Sequence, residues 1–95
     1  MMVKVHYVGL VRSATNTGQD EIELEDGASL SQLLDKLAGT YGKPFKRDIY
    51  EPGMHELKVN FVATVNGLLM DQLNGVGTRL KNGDNITLMS LMTGG

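Results

Sequence analysis

Along most of the chain hydrophobic and polar positions alternate with a period of two, and in one stretch they recur with the period of a helix. In MVKVHYVGLV, Val3, Val5 and Tyr7 alternate with Lys4 and His6, which predicts a first strand. RSATNTGQ is rich in turn formers and reads as a loop. DEIELEDG follows as a half-buried strand, with Ile22 and Leu24 inward and Glu21, Glu23 and Glu25 on a solvated acidic face. Asp20 and Asp26 belong to the same acidic run, and its alternation marks a strand face rather than paired catalytic carboxylates.

ASLSQLLDKLAGTYG carries the helical pattern, with Leu30, Leu33, Leu34, Leu37, Ala38 and Tyr41 forming one apolar stripe. Ser29 is the predicted N-cap, Gln32 completes a capping box, and Gly39 and Gly42 supply the stop. In KPFKRDIYEPGMH, Phe45, Ile49 and Tyr50 can anchor one short helical turn, and Lys43, Lys46 and Arg47 read as a solvated basic face. Val59, Phe61, Ala63 and Val65 then alternate, Asn66-Gly67 fits a type I′ turn, and Leu68 to Met70 begin the return strand. Leu80 is the expected buried anchor of the turn-rich LNGVGTRLKNGDN, whose Gly75 and Gly77 neither follow a strand nor open a helix and make a weak phosphate loop. NITLMSLM closes the series as a last strand. Two strands, one helix and three further strands predict an α+β fold of the β-grasp, ubiquitin-like kind. It would hold a mixed sheet of four to five strands with one main helix on one face and a short helical turn in the long connection. The first and last strands would pair in parallel at the sheet centre.

Length and composition narrow the chemistry. Ninety-five residues make one domain. The expected division is a β-grasp domain over residues 1–92 and a flexible diglycine tail over 93–95. A net charge of −2 argues against nucleic acid as partner, because phosphate binding needs a concentrated basic face. The chain has no cysteine, so it can supply no disulfide, thiolate ligand or thiol nucleophile of its own. His6 and His55 have no second ligand at a recognisable spacing, and no metal site is expected. Neither a secretory signal nor a membrane-length apolar run is visible, which points to a cytoplasmic protein that does not engage membranes.

Three segments carry a family resemblance: the leucine-patterned helix SLSQLLDKLAGTYG, the strand and turn VATVNG, and LKNGDNITLM followed by the terminal TGG. Together they resemble the MoaD/ThiS sulfur carriers, the ubiquitin-like small subunits of molybdopterin synthase and of thiamin biosynthesis. Many molybdopterin-type carriers have two prolines shortly before the diglycine, where this chain has Ser90-Leu91-Met92-Thr93. The connection from Gly42 to His55 is also long for the thiamin-type carriers, so the acceptor stays open between these pathways.

The resemblance implies that the C-terminal carboxylate of Gly95 is adenylated and converted to a thiocarboxylate, with Gly94 threading into a partner's active site. ATP and magnesium would be supplied by an activating adenylyltransferase of the MoeB/ThiF type, so this chain would bind no cofactor itself. The acceptor would be a molybdopterin synthase large subunit (MoaE-like) or another sulfur acceptor enzyme. The chain would be a non-catalytic carrier subunit, monomeric when isolated. A ubiquitin-like modifier joined to lysines through Gly95 is the alternative of a different class, and a plain interaction module is a third. Glycines suit a tail that enters a channel closed around the backbone. The four residues from Met92 to Gly95 extend to about 13 Å. The last strand adds a docking surface: Ile86 and Leu88 should face the core, while Met89 and Leu91 on the other register are apolar too. With Met92 and Thr93 they form the expected partner-binding segment, and methionine suits a surface that repacks against more than one partner.

Overall fold

The computed structural model describes residues 1–91. Strand β1 (Met2–Val8) follows the predicted alternation, with Val3, Val5 and Tyr7 buried and Lys4 exposed. The strand stops at Val8, and Leu10 and Val11, read as its end, join Arg12 to Thr15, read as a loop, in a helix, α1 (Leu10–Thr15), which buries Val11 and Thr15 one turn apart. This corrects the sequence reading. The helix has only six residues and no side-chain cap of its own, so burial of Val11 rather than local propensity holds it. Strand β2 (Gln19–Glu23) pairs antiparallel with β1 and exposes Glu21 and Glu23 as expected.

Helix α2 (Leu30–Tyr41) starts at Ser29, whose hydroxyl accepts the Gln32 N–H at 3.3 Å while the Gln32 side chain accepts the Ser29 N–H at 2.8 Å. The predicted capping box is therefore complete. Leu30, Leu33, Leu34, Leu37 and Ala38 are buried, and Tyr41 packs partly against the same core. Gly42 terminates the helix; Gly39 does not, lying exposed within it. Helix α3 (Lys43–Asp48) realises the expected short helical turn, with Phe45, Ile49 and Tyr50 fully buried. A hairpin that the sequence did not announce comes next, β3 (Tyr50–Glu51) with β4 (Glu56–Leu57), its strands only two residues long.

Strand β5 (Phe61–Val65) begins later than the alternation implied. Val59 is 84% exposed, because the chain turns at Lys58–Phe61 with Asn60 at φ +74°. Asn66 and Gly67 have φ of +52° and +86°, the left-handed pair a type I′ hairpin requires. The return strand β6 is confined to Leu68–Leu69, since Met70–Gln72 turn into a 3₁₀ segment. Gly75–Gly77 form a second such turn, and Leu80 is buried as predicted. Strand β7 (Asn85–Ser90) completes a five-stranded sheet of order β2-β1-β7-β5-β6. β7 lies at the centre, parallel to β1 and antiparallel to β5. This is the expected ubiquitin-like β-grasp, its core formed between the inward residues of the sheet and the leucines of α2.

Candidate functional site

β7 divides its side chains between two faces. Ile86 and Leu88 are buried in the core, as predicted. Thr87 and Met89 point to the opposite face and are half-buried, and Leu91, just past the strand, is 66% exposed. The register shows what surrounds Met89: Val8 of β1 lies opposite it on one side and Val62 of β5 on the other. Val8 is 49% exposed and Val62 half-buried. The open face is therefore apolar where β7 ends. Two residues earlier the row is His6, Thr87 and Thr64, and at the start of β7 Lys4 stands beside Asn85. Along the direction of β7 a polar row thus gives way to an uncharged apolar one at the strand's end.

The end of β7 is held on both sides. Ser90 pairs with Phe61, and the Leu91 N–H donates to the Asn60 carbonyl at 2.7 Å. On the other side the Ser90 hydroxyl accepts the Leu10 N–H at 3.0 Å. Of the sequence-predicted site residues, the structure brings Met89 and Leu91 to this end of the sheet. Met92, Thr93, Gly94 and Gly95 lie outside the described residues.

The other candidate groups have local roles. Lys43 and Lys46 are exposed on α3, and Arg47 pairs with its neighbour Asp48 at 2.8 Å. That hydrogen bond holds the Asp48 carboxyl below its ordinary range. His6 Nε2 lies 3.4 Å from the Asn85 side-chain oxygen. His55, in the β3–β4 hairpin, has Nδ1 2.9 Å from the Ser31 hydroxyl and 3.8 Å from the Asp35 carboxylate. Among the described residues no three His, Asp or Glu side chains gather in a metal-holding group, and no helix is long and apolar enough to cross a membrane.

Asp20 departs from the acidic strand face assigned to it. Its carboxylate is half-buried at the sheet edge and accepts hydrogen bonds from the Tyr7 hydroxyl at 2.8 Å and from the Tyr41 hydroxyl. Burial first, and hydrogen bonding to Asp20 second, raises the pKa of both phenols. Tyr50 has a similar arrangement with Asp35, its hydroxyl donating at 2.8 Å, and burial pushes its pKa up to about 12. These pairs tie α2 to the sheet and to the hairpin, and they are structural.

The ThiS family model matches residues 5–95, nearly the whole sequence. The chain belongs to the ThiS family. No curated protein sequence matches it. Several solved structures do. Small archaeal modifier protein 1 from Methanosarcina acetivorans is 27% identical, with a TM-score of 0.79 over 99% of this chain and 96% of its own. Urm1 from Trypanosoma brucei is 18% identical, with a TM-score of 0.81 over 99% and 95%. A molybdopterin converting factor subunit 1 from Pyrococcus furiosus is 23% identical, with a TM-score of 0.76 over 97% and 99%. These likenesses establish the ubiquitin-like fold of this ThiS-family chain.

Proposed function

We propose that this ThiS-family chain is a sulfur carrier whose working group is the carboxylate of Gly95. A carboxylate is a poor electrophile, so one of its oxygens first attacks the α-phosphorus of ATP in an activating enzyme of the MoeB/ThiF type, and pyrophosphate leaves. A sulfur nucleophile then attacks the acyl carbon and AMP leaves. With a persulfide as nucleophile this gives an acyl disulfide, and a thiol of the donor enzyme then attacks the donor-side sulfur, forming a new disulfide there and releasing the terminus as a thiocarboxylate, which an acceptor enzyme consumes. The first candidate acceptor is a molybdopterin synthase large subunit of the MoaE type, with the thiamin pathway as the other carrier route.

The observation that carries this reading is the course of β7. The central strand of a ThiS-family β-grasp ends in an apolar row on the sheet's open face, with Val8 and Leu91 exposed and Val62 and Met89 half-buried, so the last residues follow directly from a surface suited to docking. Docking through that row would bring the terminus to the partner's reacting groups and supply catalysis by positioning. The chain's own residues bind and present; the partners hold the nucleotide and the sulfur donor.

Likeness to a small archaeal modifier protein supports the second reading, in which a lysine amine takes the place of sulfur and an amide bond forms at Gly95. Both readings begin with the same adenylate. Gly94→Ala and Gly95→Ala are expected to leave folding unchanged and to slow adenylate formation severely, because a Cβ disturbs the terminus beside ATP. Normal activation of both variants would contradict the proposal. Lysine-linked adducts that survive reducing agent would favour the modifier over the carrier.

A further inference from the structure

The end of β7 is fastened on the side of each neighbouring strand. Ser90 is its last residue, and its hydroxyl accepts the N–H of Leu10, the first residue of α1, across 80 positions of sequence. The preceding residue, Gly9, has no side chain to cap that helix, so Ser90 satisfies one of its orphan amides from another element. Gly9 is confined to glycine on two counts. Its φ is +67°, and a Cβ there would collide with the Ser90 Oγ. On the β5 side, Asn60 takes φ +74° and offers its carbonyl to the Leu91 N–H at 2.7 Å. Two turns of positive φ, one beside each neighbouring strand, thus close on the same two residues.

We propose that Gly9, Ser90 and Asn60 form an exit clamp that aims the C-terminal segment, with Ser90 as a positioning residue for activation at Gly95. This deepens the sulfur-carrier reading and rests on it. Only four residues separate Leu91 from the reacting carboxylate. Each residue released from a fixed conformation adds conformational freedom that must be lost again before the carboxylate lines up with ATP. Opening the clamp frees Leu91, and with it the starting direction of everything that follows. The docking row of Val8, Val62 and Met89 does not depend on the Ser90 hydroxyl, so affinity for the activating enzyme is separable from alignment.

The test compares Ser90→Ala, which removes the acceptor, with Ser90→Thr, which keeps a hydroxyl on a strand-compatible side chain. Gly9→Ala attacks the same contact from the other side. Two readouts are needed: amide hydrogen exchange at Leu10 and Leu91, and ATP–pyrophosphate exchange by the adenylating enzyme of the source organism at varied carrier concentration. Ser90→Ala is expected to speed exchange at both amides and to lower kcat roughly 5- to 30-fold, the effect of one released residue. KM for the carrier should stay within about twofold, since binding lost equally from ground and transition states would appear in KM instead. Ser90→Thr should restore kcat.

An unchanged kcat in Ser90→Ala, with Leu91 exchange accelerated, overturns the proposal. So does a loss of kcat that Ser90→Thr does not restore and that follows melting temperature across the three variants. Full protection of Leu91 in Ser90→Ala overturns the clamp while leaving the carrier reading standing. A wild-type chain that forms no adenylate overturns the carrier reading, and with it the role given to Ser90.

Discussion

The inward register of β7 carries stability and the outward register carries the docking proposed for it, and the pair Leu88→Ala and Met89→Lys separates the two. Leu88 is 1% exposed and lies between Tyr7 and Ala63 in the sheet. Neither neighbour can fill the space a truncation leaves. Ala63 is small, and the Tyr7 ring is held by the hydrogen bond from its hydroxyl to Asp20. Leu88→Ala therefore falls in the upper part of the usual range for buried leucines, about 4 kcal/mol. For a domain of this size that corresponds to a loss of roughly 15–30 °C in melting temperature. Met89→Lys places a charge on the open face, where the lysine stem can lie along Val8 and Val62 with its ammonium in water. Its stability cost should stay within about 1 kcal/mol. Its cost to activation should be at least roughly tenfold in KM for the carrier, as expected when the centre of an apolar contact receives a charge. Far-UV circular dichroism gives both melting curves, urea midpoints at constant slope confirm that only stability changed, and pyrophosphate exchange reads the docking. Equal destabilisation by the two substitutions would refute the division of faces. A Met89→Lys chain activated at the wild-type KM would refute the docking role.

Ser29→Ala removes the hydroxyl half of the capping box and should cost about 1 kcal/mol in urea denaturation, whereas Ser29→Asp should recover most of it. The phenols predict alkaline lability. Tyr7, Tyr41 and Tyr50 all have raised folded-state pKa values, Tyr50 to about 12, so the unfolded chain releases these protons first, near pH 10. Their contribution is fully present below pH 10 and is lost as pH rises through the folded values, so melting temperature should fall above pH 10. Tyr50→Phe should reduce the steepness of that fall, and a melting temperature flat from pH 9 to 12 would contradict it.

Which parts of this arrangement were legible in the sequence follows from how local their causes are. Helix α2 was legible because its cap, its leucine spacing and its terminal Gly42 all lie within one stretch. The Asn66-Gly67 turn was legible because only a few residues tolerate two successive left-handed conformations. Helix α1 was not, since it lacks a local cap and depends on Val11 reaching a core built by other elements. The β3–β4 hairpin has two-residue strands, too short for alternation to register. Val59 fitted the period of β5 yet sits outside it, because the backbone of Lys58 bonds to Ile49 instead of continuing the sheet. At the site, the outward apolar register of Met89 and Leu91 could be read directly. Val8 and Val62 beside Met89 could not, because cross-strand neighbours depend on pairing register. The contact of Ser90 with Gly9 and Leu10 spans the length of the chain and leaves no local pattern at all. Asp20 was misassigned for the same reason, as its tyrosine partners come from β1 and α2.

The central claim is that the terminal carboxylate carries sulfur, and an intact-mass spectrum of the protein recovered from its native cell extract tests it most directly. The account predicts a mass gain equal to one sulfur replacing one oxygen, localised by fragmentation to the C-terminal peptide and captured as a thioester by an alkylating agent. An unmodified terminus accompanied by larger lysine-linked adducts would contradict the carrier reading in favour of the modifier. An unmodified terminus with no adduct, in a protein that no activating enzyme adenylates, would contradict both.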